Sequence, residues 1–583
     1  MKTITDGVKS ILYLVKPYWQ YGRLYMLGRI AIELLAAPAL ALLQVRLLQA
    51  VIDAIAAGAT MEETVLTAAA LVGGILGLTV LRWTFLLRYD RWKAVEIQSK
   101  INRGIYVRAV STDYRYFDDP EFYNGFTFAV GELAAKAESA LQLLTQTLGI
   151  VSVITAMTAY LSALGPWVIL ISLAGQALCL YAQKHMQKLG MQKAEESLPF
   201  DRRLQYVHRV AYEKQYAADM KSTELPRKIL ALFDKSARGK TDVYKRLAAP
   251  NWRWNLVQFT AWHVCQLAQL AYMIVCVFTS GLGIGTIAGM FAAAGRLNDM
   301  LNQFVGISGK AMELCLYADK IRAFNALESE IETEQNGETP PDGAFALDIR
   351  GLSFAYPRSD FALRDIDISV KSGEKIAIVG ENGAGKTTLA KLLLRLYDAE
   401  SGDIQYNGVS VRAYDIKQLR RRIGVAFQDP RLYALTVRDN LEMYQFADEG
   451  TLNAALQKAG LGIGLGAEMT REFDENGIVL SGGQAQKLGL TRLLHGTFGL
   501  FLLDEPSSAL DPLAEYEMTR LIFEQSAATT IMVAHRLSTV RGADRIYLLA
   551  DGRITEAGTH DELMAAGGKY AEMFTKQAEN YVR

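Results

Sequence analysis

Apolar residues gather into six long stretches over the first half of the chain and then stop doing so. The stretches are Leu24–Ile52, Glu63–Leu87, Ala140–Leu164, Trp167–Tyr181, Leu256–Phe278 and Ile284–Ile307. A bilayer-spanning helix needs about 20 mostly apolar residues. Any one stretch alone would read as a buried soluble helix, but six in series predict a multi-pass helical membrane domain. Beyond them the pattern changes. Short apolar runs such as Ile376–Val379, Leu500–Leu503 and Ile531–Val533 read as buried strands and alternate with helix-forming segments. That predicts an α/β domain. An acidic, proline-marked segment from Glu328 to Asp342 separates the two patterns. The expected division is a membrane domain over 1–325, a linker over 326–344 and an α/β domain over 345–583.

Cationic residues orient the helices. Lys2, Lys9, Lys16 and Arg23 precede the first stretch, Arg88 to Arg108 follow the second, and Lys184 to Arg203 begin a long basic run after the fourth. The opposite loops, Asp53–Glu62, Ser162–Pro166 and Thr279–Gly283, hold no Lys or Arg. The positive-inside rule puts both termini in the cytoplasm. The cytoplasmic connections Tyr89–Ser139 and Ala182–Asn255 are long and compatible with helix.

Overall charge is balanced, 62 Lys+Arg against 62 Asp+Glu, so no basic excess points to nucleic acid. The four cysteines, Cys179, Cys265, Cys276 and Cys315, have no metal-ligand spacing and read as small apolar residues. Two pairs of charges fall inside the apolar stretches: Arg29 with Glu33, and Arg296 with Asp299. Each reads either as an ion pair along one helix face or as the wall of a polar substrate cavity.

Chemistry concentrates in the α/β half. Gly380-Glu381-Asn382-Gly383-Ala384-Gly385-Lys386-Thr387 fits G-x-x-x-x-G-K-[ST], with Thr388 next, between an apolar strand and a helix. Glycines let backbone N–H groups turn around phosphate oxygens, and the following helix adds its positive end. The lysine reaches the terminal phosphates and the threonine holds Mg²⁺. A second glycine-rich helix start is Leu480-Ser481-Gly482-Gly483-Gln484, and a buried strand ends in Asp504-Glu505. Ser508–Asp511, Gln428 after Val425–Phe427, His535 after Ile531–Val533, and Tyr356 complete an ordered series.

This series resembles the nucleotide-binding domain of an ATP-binding cassette (ABC) transporter, and the layout before it resembles an exporter-type half-transporter. The resemblance implies ATP and Mg²⁺ as cofactors. It implies adenine stacking by Tyr356, metal contacts from Thr387, Gln428 and Asp504, and general-base action by Glu505. It further implies alignment of water by His535 and organisation of a dimer seam by Asp511. In that family Ser481 and Gly483 bind the ATP held by another cassette, so the expected partner is a second copy of the chain, or else a related half-transporter. Ala485 stands where the family often has Arg, and Thr491 where a small apolar residue is usual. The family's helix tips dock on the cassettes, and Tyr116–Tyr123 and Ala211–Ser222 are the expected tips. ATP-driven export across a bacterial cytoplasmic membrane is the expected function, with peptide, drug or lipid as cargo. Tyr116–Asn124 and Val210–Phe233 bear a faint similarity to exporters of ribosomally made peptides. Import of a metal chelate or small solute, and an ATP-gated channel or regulator, are the rival readings.

Overall fold

The computed structural model describes residues 4–118, 120–162, 166–280, 283–327, 329–331, 337–356, 362–506, 512–525, 527–534, 536–537 and 539–582. Asp511 and His535 lie outside the described residues, as does part of the expected linker. The chain forms two compact units. One is Met1–Ala109 with Asn124–Ala326; the other is Val110–Tyr123 with Leu327–Arg583.

The first unit is helical: α1 (Ile4–Tyr21), α2 (Arg23–Ala56), α3 (Met61–Thr84), α4 (Arg91–Val110), α5 (Pro120–Leu161), α6 (Trp167–Tyr212), α7 (Lys214–Ser222), α8 (Leu225–Ser280) and α9 (Ile284–Asn325). A π-helical turn, Phe85–Asp90, joins α3 to α4. Thr60 and Glu63 form a capping box that fixes where α3 begins. At 1.5 Å per residue, the 56 residues of α8 span about 84 Å, well beyond a hydrocarbon core of about 30 Å. Thus the long connections of the sequence are extensions of the spanning helices. Five helical stretches among the described residues are long and apolar enough to cross a membrane. Helix α9 covers the sixth expected stretch but is diluted by Arg296, Asn298, Asp299, Asn302 and Gln303.

The charges inside these helices do not pair along their own helix. Arg29 lies 3.3 Å from Asp90 and donates to the Tyr25 hydroxyl at 2.9 Å. Glu33 instead accepts from Arg82 of α3 at 2.9 Å. Cross-helix pairing joins neighbours and neutralises charge that a bilayer would penalise. Ser172, Gln176, Gln269 and Asn298 form a buried polar junction of α6, α8 and α9, with Asn298 donating to Gln269 at 2.9 Å.

In the second unit a six-stranded sheet runs in the order β10-β9-β3-β8-β7-β6, beside a four-stranded antiparallel sheet of order β2-β1-β4-β5. The strands are β1 (Leu347–Ala355), β2 (Ala362–Val370), β3 (Lys375–Val379), β4 (Ser401–Tyr406), β5 (Val409–Ser410), β6 (Ile423–Ala426), β7 (Leu500–Asp504), β8 (Thr529–Ala534), β9 (Arg545–Ala550) and β10 (Arg553–Gly558). Strands β6, β7, β8, β3 and β9 pair in parallel, and every residue of β7 and β8 is buried. Their registers pair Val379 with Ala534, Asp504 with Val533 and Ala426 with Leu503. The carboxyl ends of four strands therefore meet at one edge, where open α/β sheets bind ligands. Helix α10 (Lys386–Leu393) follows β3 and α11 (Ile416–Arg421) precedes β6; α12 (Val437–Leu441), α13 (Glu449–Lys458) and α14 (Gly482–Leu494) lie between β6 and β7.

Candidate functional site

The turn between β3 and α10 is the phosphate-binding loop. A Cβ at Gly380 would stand 2.1 Å from the Leu549 carbonyl oxygen, so only glycine fits there. Gly385, with φ of 111°, caps α10 in the left-handed region that favours glycine. Lys386 begins the helix. Its side chain folds back along the loop, donating to the Gly380 and Glu381 carbonyls at 2.8 and 2.9 Å. Burial pulls its ammonium below the ordinary value, against the opposing pull of Glu505 and Asp504.

A cavity of about 330 Å³ opens on this loop, lined by Asn382, Gly383, Gly385, Lys386, Thr387, Thr388, Gln428 and Glu505. Gln428, just past β6, donates to Glu505 Oε2 at 2.9 Å. Glu505, just past β7, holds φ of 49°, a conformation few non-glycine residues adopt. Its amide donates to the Val533 carbonyl at 3.0 Å. The turn at the end of β7 thus fixes where the carboxylate starts.

Asp504 ends β7 and is buried. Its Oδ1 has no hydrogen-bond partner among the described residues. Burial first, then the Glu505 carboxylate, push its acid up, while Thr387 donates to it and pulls it down. An unpartnered buried carboxylate oxygen beside a threonine hydroxyl supplies the oxygen donors that suit Mg²⁺, and Gln428 lines the same cavity as that threonine. The residues fit both the nucleotide and its metal.

Ser481 caps α14. Its hydroxyl accepts from the Gln484 amide at 3.3 Å while the Gln484 side chain accepts from the Ser481 amide at 3.0 Å. Gly482 begins that helix, and Ser481 and Gln484 are exposed. None of Ser481–Gln484 is among the residues lining the loop cavity. The same helix reaches inward through Gln486, which donates to the Gln428 carbonyl at 3.3 Å. Arg492, at its other end, donates to the Asn440 carbonyl at 2.7 Å and to that of Arg431 at 2.9 Å. Arg492 was not among the expected site residues; its place in the apolar run Leu488–Leu494 is the signal that marks it as buried.

Tyr356 shares a hydrogen bond of 3.2 Å with Thr388 and meets Tyr397 edge-on at 5.4 Å. Tyr397 also meets Tyr114 edge-on at 5.8 Å and donates to Asp118. Burial first, then that carboxylate, drive the Tyr397 phenol far above its ordinary value. Lys391 lies 3.4 Å from Asp118 and over three of these rings. The turn between α4 and α5 is thereby held to the cassette by one aromatic and ionic cluster. Sequence reading put this tip at Tyr116–Tyr123; the anchors Tyr114, Lys391 and Tyr397 were not foreseen. The second expected tip coincides with α7, between α6 and α8.

Arg296 and Asp299 are not brought together. Arg296 lines a cavity of about 700 Å³ within the helical unit, between α2, α3, α5 and α9, and Asp299 is not part of its wall.

The family model that matches the chain is described as ABC transporter, over residues 363–508. A structure titled as a bacterial Atm1-family ABC exporter with ATP bound superposes with a TM-score of 0.75, covering 95% of this chain and 98% of that one at 21% identity. An "ATP-dependent lipid A-core flippase" of Alkalilimnicola ehrlichii is 28% identical over 98% of this chain and 96% of its own length. Residues 363–508 match the ABC transporter family, and the chain as a whole has the fold of an ABC exporter. A second such flippase, from Aromatoleum aromaticum, is 35% identical, but the match spans only about half of each protein, 54% of either. The helical unit and the cassette both lie within that fold, and five helical stretches among the described residues are long and apolar enough to cross a membrane.

Proposed function

We propose that two copies of the half-transporter form an ATP-driven exporter, with ATP held between the phosphate loop of one cassette and Ser481–Gln484 of the other. One observation carries this. The loop cavity is open and holds the loop, Gln428 and Glu505, while the capped end of α14 offers its N–H groups on an exposed face elsewhere in the same cassette. A helix start of that kind binds anions, and a second copy would supply it. The symmetric dimer completes two equal sites.

In this reading residues 1–325 are the membrane domain, 326–344 the linker and 345–583 the cassette, with both termini in the cytoplasm of a bacterial cell. Tyr356 leaves Thr388 to stack on adenine. Gly380–Thr388 cradle the phosphates and Lys386 moves from loop carbonyls to phosphate oxygens. Thr387, Asp504 and Gln428 hold Mg²⁺, which neutralises phosphate charge when bound. Glu505 takes the proton of the attacking water. His535 and Asp511 carry their roles by motif position. ATP binds the closed dimer more tightly than the open one, and that difference drives the membrane helices from one access state to the other. The names of the relatives favour a lipid-like cargo over a peptide or a drug.

Inside-out vesicles and proteoliposomes decide the matter. ATP should drive solute out of the cytoplasmic side, and sedimentation should show a dimer that tightens with ATP. Uptake in the opposite sense would establish the importer. Solute flow uncoupled from hydrolysis would establish the channel. Full ATPase activity from a strict monomer would remove the shared site altogether.

A further inference from the structure

The cavity in the helical unit carries an unbalanced charge. Its ionisable wall residues are Glu33, Arg82, Arg296 and Lys310. Glu33 and Arg82 neutralise each other through a salt bridge of 2.9 Å. Among the described residues, Arg296 and Lys310 have neither a hydrogen-bond nor an ion-pair partner. Such cations in a spanning helix are costly and commonly mark a substrate path.

Their placement is regular. Arg296, Gln303 and Lys310 are spaced i, i+7, i+14 on α9, so they share one helix face, and the two cations are about 21 Å apart along the axis. Counted from the outer end of α9 at Ile284, Arg296 lies about 18 Å down and Lys310 about 39 Å. With a hydrocarbon core of about 30 Å, Arg296 sits near mid-bilayer and Lys310 at the inner interface. Arg82, about 31 Å below the outer start of α3 at Met61, is level with that interface too. The rest of the wall alternates Gln44, Gln146 and Gln303 with Leu40, Val153 and Met300.

Resting on the exporter reading above, we propose that this cavity selects an anionic, lipid-like amphiphile from the inner leaflet. Lys310 receives its acidic headgroup at the interface and Arg296 holds it at depth. The glutamines bond the polar part of the headgroup, and the apolar wall takes the chain. A soluble peptide would need no cation level with the headgroups, and a neutral drug no cation at all.

The test uses the full chain in phosphatidylcholine nanodiscs, without ATP. Quenching of Trp83, another wall residue, is followed with brominated phosphatidylglycerol against brominated phosphatidylcholine, after subtracting the Trp83→Phe signal. The anionic lipid should quench at about tenfold lower mole fraction. Arg296→Gln with Lys310→Gln should erase the preference, and Arg296→Lys with Lys310→Arg should keep it. Asp299→Asn, on the same helix but outside the cavity, should also keep it and serves as the folding control. Equal quenching by both lipids, or a preference that survives the double glutamine variant, overturns the proposal. Relief of quenching by inorganic phosphate, or by an acidic peptide, overturns the lipid assignment. Because binding is read without ATP, a failed transport assay would count against the exporter reading alone.

Discussion

Two cavities of this chain are built on opposite plans. The one on the phosphate loop, about 330 Å³, is lined by one glycine-rich turn and by two residues just past the ends of buried parallel strands. The one among the helices, about 700 Å³, is made of side chains on four separate helices. The first commits polar groups to a place: Lys386 to loop carbonyls, Gln428 to Glu505, Thr388 to Tyr356. The second leaves Arg296 and Lys310 without partners among the described residues. Fixed groups suit a reaction whose geometry never changes. Unengaged groups suit a cargo that must be gripped and then released.

The sharpest break of the comparison is Glu505→Gln. The amide keeps the shape of the side chain and can still meet Gln428, but it cannot accept a proton from water. Turnover should fall by about 10²–10³-fold, as for loss of a general base, while ATP binding persists and a closed dimer accumulates. Wild-type turnover in steady-state ATPase assays would contradict the base assignment. Gly380→Ala comes next, because its methyl must displace the Leu549 carbonyl. ATP affinity, read by a fluorescent nucleotide analogue, should weaken at least tenfold, about 1.4 kcal/mol; unchanged affinity would mean the loop tolerates a different path.

A smaller effect should follow from cutting the link between helices and cassette. Tyr397→Phe removes one hydrogen bond to Asp118, and Asp118→Asn weakens that bond and the Lys391 pair together. Charge-assisted bonds of this kind contribute about 1.5–3 kcal/mol. Asp118→Asn should reduce stimulation of ATPase by cargo several-fold and leave the affinity for ATP within about twofold. Equal loss of both would place the cluster in nucleotide binding instead.

These sites were unequally legible in the sequence. The phosphate loop was read because its chemistry is contiguous: one turn supplies glycines, lysine and threonine in eight residues. Gln428 and Glu505 were placed by order, and parallel strand register then brings them to one edge. The helices were legible as apolar stretches, but their pairings were not. Arg29 and Glu33 suggest a pair at i,i+4, yet each crosses to a residue more than forty positions away. Local spacing carries no information about which helix packs alongside. The cluster of Tyr114, Tyr397 and Lys391 stayed hidden for the same reason, since it joins the turn between α4 and α5 to the distant helix α10 and the segment after it.

The smallest expected effect concerns Asp504 and separates the metal's role from the protein's own. Burial and Glu505 raise its folded-state pKa above the ordinary value, so the folded cassette binds this proton more tightly than the unfolded chain does. The stability this contributes is complete below the unfolded pKa and is lost as pH rises through the folded one. Above the folded pKa the nucleotide-free cassette therefore carries a buried charge that costs it stability. Asp504→Asn removes that charge. The apo protein should melt about 2–4 °C higher at pH 8, with little change at a pH below the unfolded value. The rise in melting temperature on adding Mg²⁺ with ATP should shrink in the same variant, because the carboxylate that would meet the cation is gone. Scanning fluorimetry at both pH values, with and without Mg²⁺ and ATP, reads both effects together. A variant that melts lower in every condition would make Asp504 a structural anchor of β7, and the unpartnered oxygen would then have to be explained without a metal.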